Sequence, residues 1–318
     1  MDYPIKESIR SVFPYFDEIV VCDTSDGTDN TLEVLEELKK EFGEKEFKII
    51  RGNANWSAQN GGIYDGKMKA MARLRCTGDY LWPQDIDEIL MPTSREQIES
   101  LCKKLDENIP VMALPIVEPW NNSNRIRCDV NPWKWRLSKN LPHITHGIPL
   151  SLRRYEGGLL YAKHGCDGCE IVDSNTGQMI SFVNFMKPET EQLRQRATTD
   201  ISYAKEYEQW LNGVINKLPT IYHLSWWSIY EKMKKFQKFW SKSWDSLYGD
   251  THPDGYPFFS KPWNQVTDQE MREEAKRLEA SNGHIFHAAY DGKTIKNAVT
   301  INRPVPEVAR AWCDKHKE

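Results

Sequence analysis

After Pro4, the apolar residues Ile5, Ile9, Val12 and Phe13 recur at helical spacing and Pro14 closes the run, which predicts a short helix. Glu18 to Cys22 reads as a buried strand, ending in a polar turn, Asp23-Thr24-Ser25-Asp26-Gly27-Thr28-Asp29-Asn30. Leu32, Leu35, Leu38 and Phe42 then share one helical face, and Gly43 stops that helix. Phe47 to Arg51 is the next strand, and a loop with Trp56, Gly61 and Gly62 leads to a helix around residues 64–75. The third strand opens at Tyr80, and Thr93 with Glu96 forms a capping box for a helix through about Leu105. Val111 to Val117 is the fourth strand. Helix and strand alternating over short connections predict a doubly wound α/β sheet, in which ligands gather at the carboxyl ends of strands. The acidic turns at Asp23 and at Asp85 and Asp87 lie at such ends.

Beyond Val117 the alternation stops. Residues 118–190 mix Trp, Pro, Gly, His and Arg, as in Asn131-Pro132-Trp133-Lys134-Trp135-Arg136, a composition that suits loops and short strands around an acceptor pocket. Tyr222 and His223 follow the apolar Thr220-Ile221. A helix then carries Ile229, Met233, Phe236, Trp240, Trp244 and Leu247 on one face, ringed by Lys232, Lys234, Lys235, Lys238 and Lys242. Its apolar face reads first as core, with peripheral contact to a membrane surface or a lipid-linked acceptor as the other reading. Asp268 to Ala280 is a charged helix. The chain divides on this pattern into 1–120, 121–225 and a mainly helical 226–318.

Composition narrows the class. The 318 residues are 39% hydrophobic and 28% charged, which supports a sizeable core. A net charge of −4 argues against a nucleic-acid binder. Apolar runs fall far short of the ~20 residues that span a bilayer. Asp2, Lys6, Glu7 and Arg10 break any leader, and seven scattered cysteines fit reduced thiols. The expected location is therefore cytoplasmic, at most against the inner face of a membrane. His164-x-Cys166-x-x-Cys169 lacks a fourth zinc ligand nearby. Twelve tryptophans hint only weakly at sugar stacking.

The chemistry concentrates at Tyr80-Leu81-Trp82-Pro83-Gln84-Asp85-Ile86-Asp87-Glu88. On a strand, Asp85 and Asp87 would share a face and repel unless a cation sat between them. Mg²⁺ takes one or two carboxylates plus phosphate oxygens. Strand, Asp23-x-Ser25-Asp26-Gly27-Thr28, helix, strand, Lys69, Gly78-Asp79-Tyr80 and Asp85-x-Asp87-Glu88, in that order over residues 4–120, resemble a family 2 glycosyltransferase of the GT-A fold. The resemblance implies transfer of a sugar from a UDP- or GDP-linked donor, with inversion, to a glycan or lipid-linked acceptor. By that resemblance Asp23, with Ser25 and Asp26 beside it, would meet the nucleotide, and Lys69 would sit near base or phosphates. Asp85 and Asp87 would hold Mg²⁺ or Mn²⁺ and the diphosphate, and His223 resembles the C-terminal histidine that closes over it.

One departure stands out. The family's usual first strand is missing, because Met1-Asp2-Tyr3-Pro4 enters the helix directly. The fold expected is a GT-A-like doubly wound mixed sheet flanked by helices, with Ala298 to Ile301 as a candidate to fill the vacant slot. Otherwise backbone groups beside the slot would stay unpaired. For the base that deprotonates the acceptor hydroxyl, Glu118, Asp167 and Glu170 are the candidates, with Asp167 favoured by its glycine-flanked turn. The rival class is a non-catalytic carbohydrate-binding or scaffold protein built on the same shell. A nucleotidyltransferase would want a glycine-rich basic phosphate loop near the start, which this chain lacks.

Overall fold

The computed structural model describes residues 3–25, 27, 29–43, 46–52, 61–146, 171–173, 180–240, 259–280 and 297–317. Nine helices are described: α1 (Ile5–Val12), α2 (Thr31–Phe42), α3 (Gly61–Arg73), α4 (Arg95–Cys102), α5 (Pro188–Ala197), α6 (Ile201–Ile215), α7 (Ile229–Lys235), α8 (Asp268–Ala280) and α9 (Glu307–Lys315). Among the strands are β1 (Ile19–Asp23), β2 (Phe47–Arg51), β3 (Tyr80–Leu81), β4 (Glu88–Leu90), β5 (Val111–Val117), β6 (Arg125–Arg127) and β7 (Trp133–Lys139). The others are β8 (Ile144–His146), β9 (Ile171–Asp173), β10 (Phe182–Val183), β11 (Ile221–His223) and β12 (Ala298–Thr300).

The main sheet has the order β3-β7-β5-β11-β4, with β10 also beside β5, and β1 and β2 form a separate parallel pair. Of its pairs, β5–β11 and β5–β10 are parallel and the rest antiparallel, so the sheet is mixed, as expected. All seven residues of β5 are buried, as befits a strand covered on both faces. One core cluster joins Ile89, Val117, Tyr222, Ile301 and Cys313, so the C-terminal segment packs on the middle of the chain.

Three expectations change at this level. Thr93 and Glu96 are displaced by one position: Ser94 caps α4 by accepting from the Gln97 amide, and the Gln97 side chain returns the bond. The stretch 131–136, expected as loops and short strands, is loop only at Asn131 and Pro132. It enters β7, which lies between β3 and β5 in the sheet. Trp135 pairs with Ala113 and Leu137 with Met112, which leaves Arg136 as the extra residue of a bulge. A bulge re-aims the side chain it carries, although the sequence itself alternates apolar and polar from Trp133 to Ser138.

The third change concerns the missing strand. Ala298–Thr300 does not fill it, but pairs antiparallel with β6. Helix α1 lies against β4 instead and presents two buried hydroxyls. Ser8 donates to the Asp85 carbonyl (3.3 Å), and Ser11 accepts from the Leu90 amide (3.0 Å). Serine side chains thus satisfy backbone groups that a neighbouring strand would otherwise pair. Gln84 ties the same junction, donating to the Ser8 hydroxyl (3.0 Å) and the Glu88 carbonyl (2.9 Å).

Candidate functional site

Strand β5 runs parallel to β11, so Glu118 and His223 emerge side by side at their carboxyl ends. Antiparallel pairing of β11 with β4 sets His223 opposite Glu88, and the Leu224 amide donates to the Asp87 carbonyl (2.8 Å). Distant parts of the chain therefore meet at one edge. Asp85 and Asp87 lie in the turn between β3 and β4, not on a strand, and so are free of the same-face constraint.

The two aspartates face different neighbours. Asp85 pairs with Lys69 of α3 (2.6 Å), with Arg136 further off (3.7 Å). Burial raises its carboxyl, but Lys69, Arg136 and Lys134 outweigh burial and hold it well below the usual carboxylate range. Glu88 is fully buried beneath it. That carboxylate pairs with Arg136, lies 3.7 Å from Lys134, and accepts from the Asp85 amide at 3.1 Å.

Asp87 faces an imidazole. Its Oδ1 lies 3.5 Å from His223 Nε2, and Glu118 Oε1 lies 3.2 Å from His223 Nδ1. Burial raises the Asp87 carboxyl, but His223 outweighs it and holds the group below its ordinary range. For His223, burial works downward and is overcome by Glu118 and Asp87, which push the imidazole up to about 9. Carboxylate, imidazole and carboxylate thus form one buried row.

Asp23 sits at the end of β1, buried, with its carboxylate paired to Arg51 and accepting from the Ser25 amide (2.9 Å). The Gly52 amide donates to the Asp23 carbonyl (2.7 Å). A Cβ on Gly52 would come within 2.7 Å of Met68 Sδ and 3.2 Å of that carbonyl, so a larger residue there would have to displace the Met68 side chain. Asp23 and Lys69 are thereby brought to neighbouring elements, since α3 packs on β1.

The structure thus gathers Asp85, Asp87, Lys69, Glu118 and His223 at one edge, with Asp23 and Ser25 beside α3. Asp26, Asp167 and Glu170 lie outside the described residues, as do His164, Cys166 and Cys169. Four residues not singled out as site residues in the sequence also converge: Glu88, Lys134, Arg136 and Lys232. Glu88 directly follows the Asp-x-Asp pair, and Lys134 and Arg136 are the only charges between the tryptophans and Leu137. Those were the available signals.

As to a cation, no three His, Cys, Asp or Glu side chains among the described residues cluster closely enough to hold one. Two do fit. Ligand atoms about 2.1 Å from one ion stand roughly 3–3.5 Å apart, which matches the Asp87–His223 separation of 3.5 Å. Glu118 Oε1 lies 3.2 Å from the second ring nitrogen, close in charge but without a hydrogen bond between the two atoms. The donor set suits an ion that takes its other ligands from phosphate and water. No described helix is long and apolar enough to cross a membrane.

Comparison with known proteins gives one family. Residues 4–146 match the family described as Glycosyl transferase family 2. No curated protein matches. The solved structure of S. aureus TarS 1-349 in complex with UDP is similar at 14% identity and a TM-score of 0.32, covering 95% of this chain and 94% of that one. A second structure of S. aureus TarS is similar at 10% identity and a TM-score of 0.31 over 78% of this chain, which spans only 42% of that one.

Proposed function

We propose, from the match of residues 4–146 to glycosyl transferase family 2, that the protein is a metal-dependent, inverting glycosyltransferase using a UDP- or GDP-linked donor. The acceptor in this reading is a glycan or a lipid-linked glycan. The observation that carries it is the row Asp87–His223–Glu118 at the carboxyl edge of the sheet, with Lys69 bound to Asp85 beside it.

Each residue has a part in that reading. Asp87 and His223 would hold Mg²⁺ or Mn²⁺, with the Glu118 charge beside the other ring nitrogen. The bound ion supplies Lewis-acid stabilisation of charge on the leaving diphosphate. Lys69 and the buried Arg136 keep Asp85 ionised, Lys69 faces donor phosphates, and Asp23 with Ser25 meets the nucleotide. Asp167 or Glu170 removes the acceptor proton as the hydroxyl attacks the anomeric carbon. Glu118 is buried against the His223 ring, with its Oε1 3.2 Å from Nδ1.

Thermal melting in the presence of UDP or GDP, with and without Mn²⁺, tests the reading. A rise in melting temperature that needs both nucleotide and metal, and that Asp87→Asn removes, is the expected result. Absence of any shift with either nucleotide would overturn it in favour of the non-catalytic shell.

A further inference from the structure

Lys232 belongs to α7, in the part of the chain beyond the family match, yet its charge is felt at the site. Ser228 caps α7 by accepting from the Glu231 amide, which starts the helix just after β11 and turns Lys232 back toward that strand's carboxyl end. The side chain is half-buried, with its ammonium 5.2 Å from the Trp226 ring and 6.0 Å from that of Phe236. Asp87 and Glu118 act on it electrostatically, but it forms an ion pair with neither. Among the described residues its one hydrogen-bond acceptor is the Ser225 hydroxyl.

An ammonium carries three N–H donors, and holding one half-buried with a single neutral acceptor is costly unless an anion completes it. The surroundings say where that anion would lie. From Asp23 the edge runs through α3 with Lys69, then Asp85, Asp87 and His223, to Glu118. Lys232 reaches this edge through the Ser225 hydroxyl, two residues past His223. Cations thus flank the row, Lys69 and Arg136 by Asp85 and Lys232 at the Ser225 hydroxyl just after His223.

We propose that Lys232 binds the terminal phosphate of a nucleoside diphosphate, so that the site distinguishes a diphosphate from a monophosphate leaving group. This rests on the donor reading above and adds a residue from outside the matched family region. The charge-assisted bonds are made to oxygens whose charge grows as the sugar departs, while the stem stays against Trp226 and Phe236.

Calorimetric titration of the full chain with UDP, UMP and uridine in saturating Mg²⁺ tests it, with GDP, GMP and guanosine as the parallel series. Lys232→Met should weaken diphosphate binding about ten- to hundredfold and leave monophosphate binding unchanged. Lys232→Arg should recover part of the loss. Ser225→Ala, which removes the described hydrogen bond but not the charge, should keep the diphosphate preference. Equal loss of diphosphate and monophosphate in Lys232→Met, or no loss, overturns the assignment, and so does a Ser225→Ala variant that copies Lys232→Met. Should Lys232→Met fail to fold, Lys232→Gln, which keeps a donor for Ser225, replaces it with the same outcomes. Wild-type protein that binds neither nucleotide series refutes the donor reading itself and this assignment with it. Failure of the Lys232 variants alone leaves the donor reading standing.

Discussion

Asp85 and Asp87 are separated by one isoleucine and occupy opposite electrostatic settings. Asp85 is saturated by cations, with Lys69 at 2.6 Å, Arg136 at 3.7 Å and Lys134 acting on it as well. Asp87 has an imidazole at 3.5 Å, and that imidazole is itself shared with Glu118. The first is a carboxylate already neutralised by fixed side chains. The second faces a partner that can give up its proton, so one residue pair can exchange a proton for a metal ion. A two-residue acidic motif therefore has no single role. Strands and helices that arrive from elsewhere in the chain decide what each carboxylate does.

The contrast can be broken at either end. Asp87→Asn should have the largest effect, on the order of a thousandfold in kcat with the fold retained, because it deletes charge at the cation site but keeps shape. Turnover in Mn²⁺ beside a thermal melt measures both, and near-normal turnover would remove Asp87 from the site. Arg136→Met should act on stability instead. It strands the fully buried Glu88 carboxylate without its main partner, at a cost of about 3–5 kcal/mol in urea unfolding. Asp85→Asn should lower turnover by roughly ten- to hundredfold, less than its neighbour, since fixed cations and not the metal face it. Equal losses for Asp85→Asn and Asp87→Asn would erase the distinction drawn above.

The smallest signal is a proton. His223 in the metal-free protein has its pKa raised from 6.5 to about 9. A raised folded value means that this stabilisation is fully present below pH about 6.5 and is lost as pH rises through about 9. A metal ligand must be neutral imidazole, so cation binding at pH 7.5 should release about one proton, and release should fade above pH 9. Calorimetry in buffers of different ionisation enthalpy reads this directly. No proton release at pH 7.5 would place the cation away from His223.

Much of this was legible in the sequence, and what was not has a physical cause. The helices beginning at Ile5 and Leu32, and the strands at Phe47 and Val111, announce themselves because each buries one face or a whole run. Gly43, at φ +97°, marks the end of α2 as glycine there should. Strand β7 carries a clear alternation, Trp133, Trp135 and Leu137 against Lys134, Arg136 and Ser138, and that period of two was the signal available for it. Glu88 and Arg136 hid for a non-local reason, since a buried ion pair between distant positions leaves no periodic trace. Ser8 and Ser11 read as unremarkable helix polar residues, although they share a face with Ile9 and Val12, and polarity amid a buried stripe was the available clue.

Those two hydroxyls also bear on how the protein avoids its own kind. Strand β4 ends the main sheet, and a terminal strand with open amides and carbonyls is a template on which another chain can add. Helix α1 closes that template with a pair of short side chains, at the Asp85 carbonyl and the Leu90 amide. The edge next to the acidic turn is thereby shielded from intermolecular strand pairing. Replacing both serines by alanine would reopen it, and concentration-dependent self-association starting at Glu88–Leu90 is the form that exposure would take.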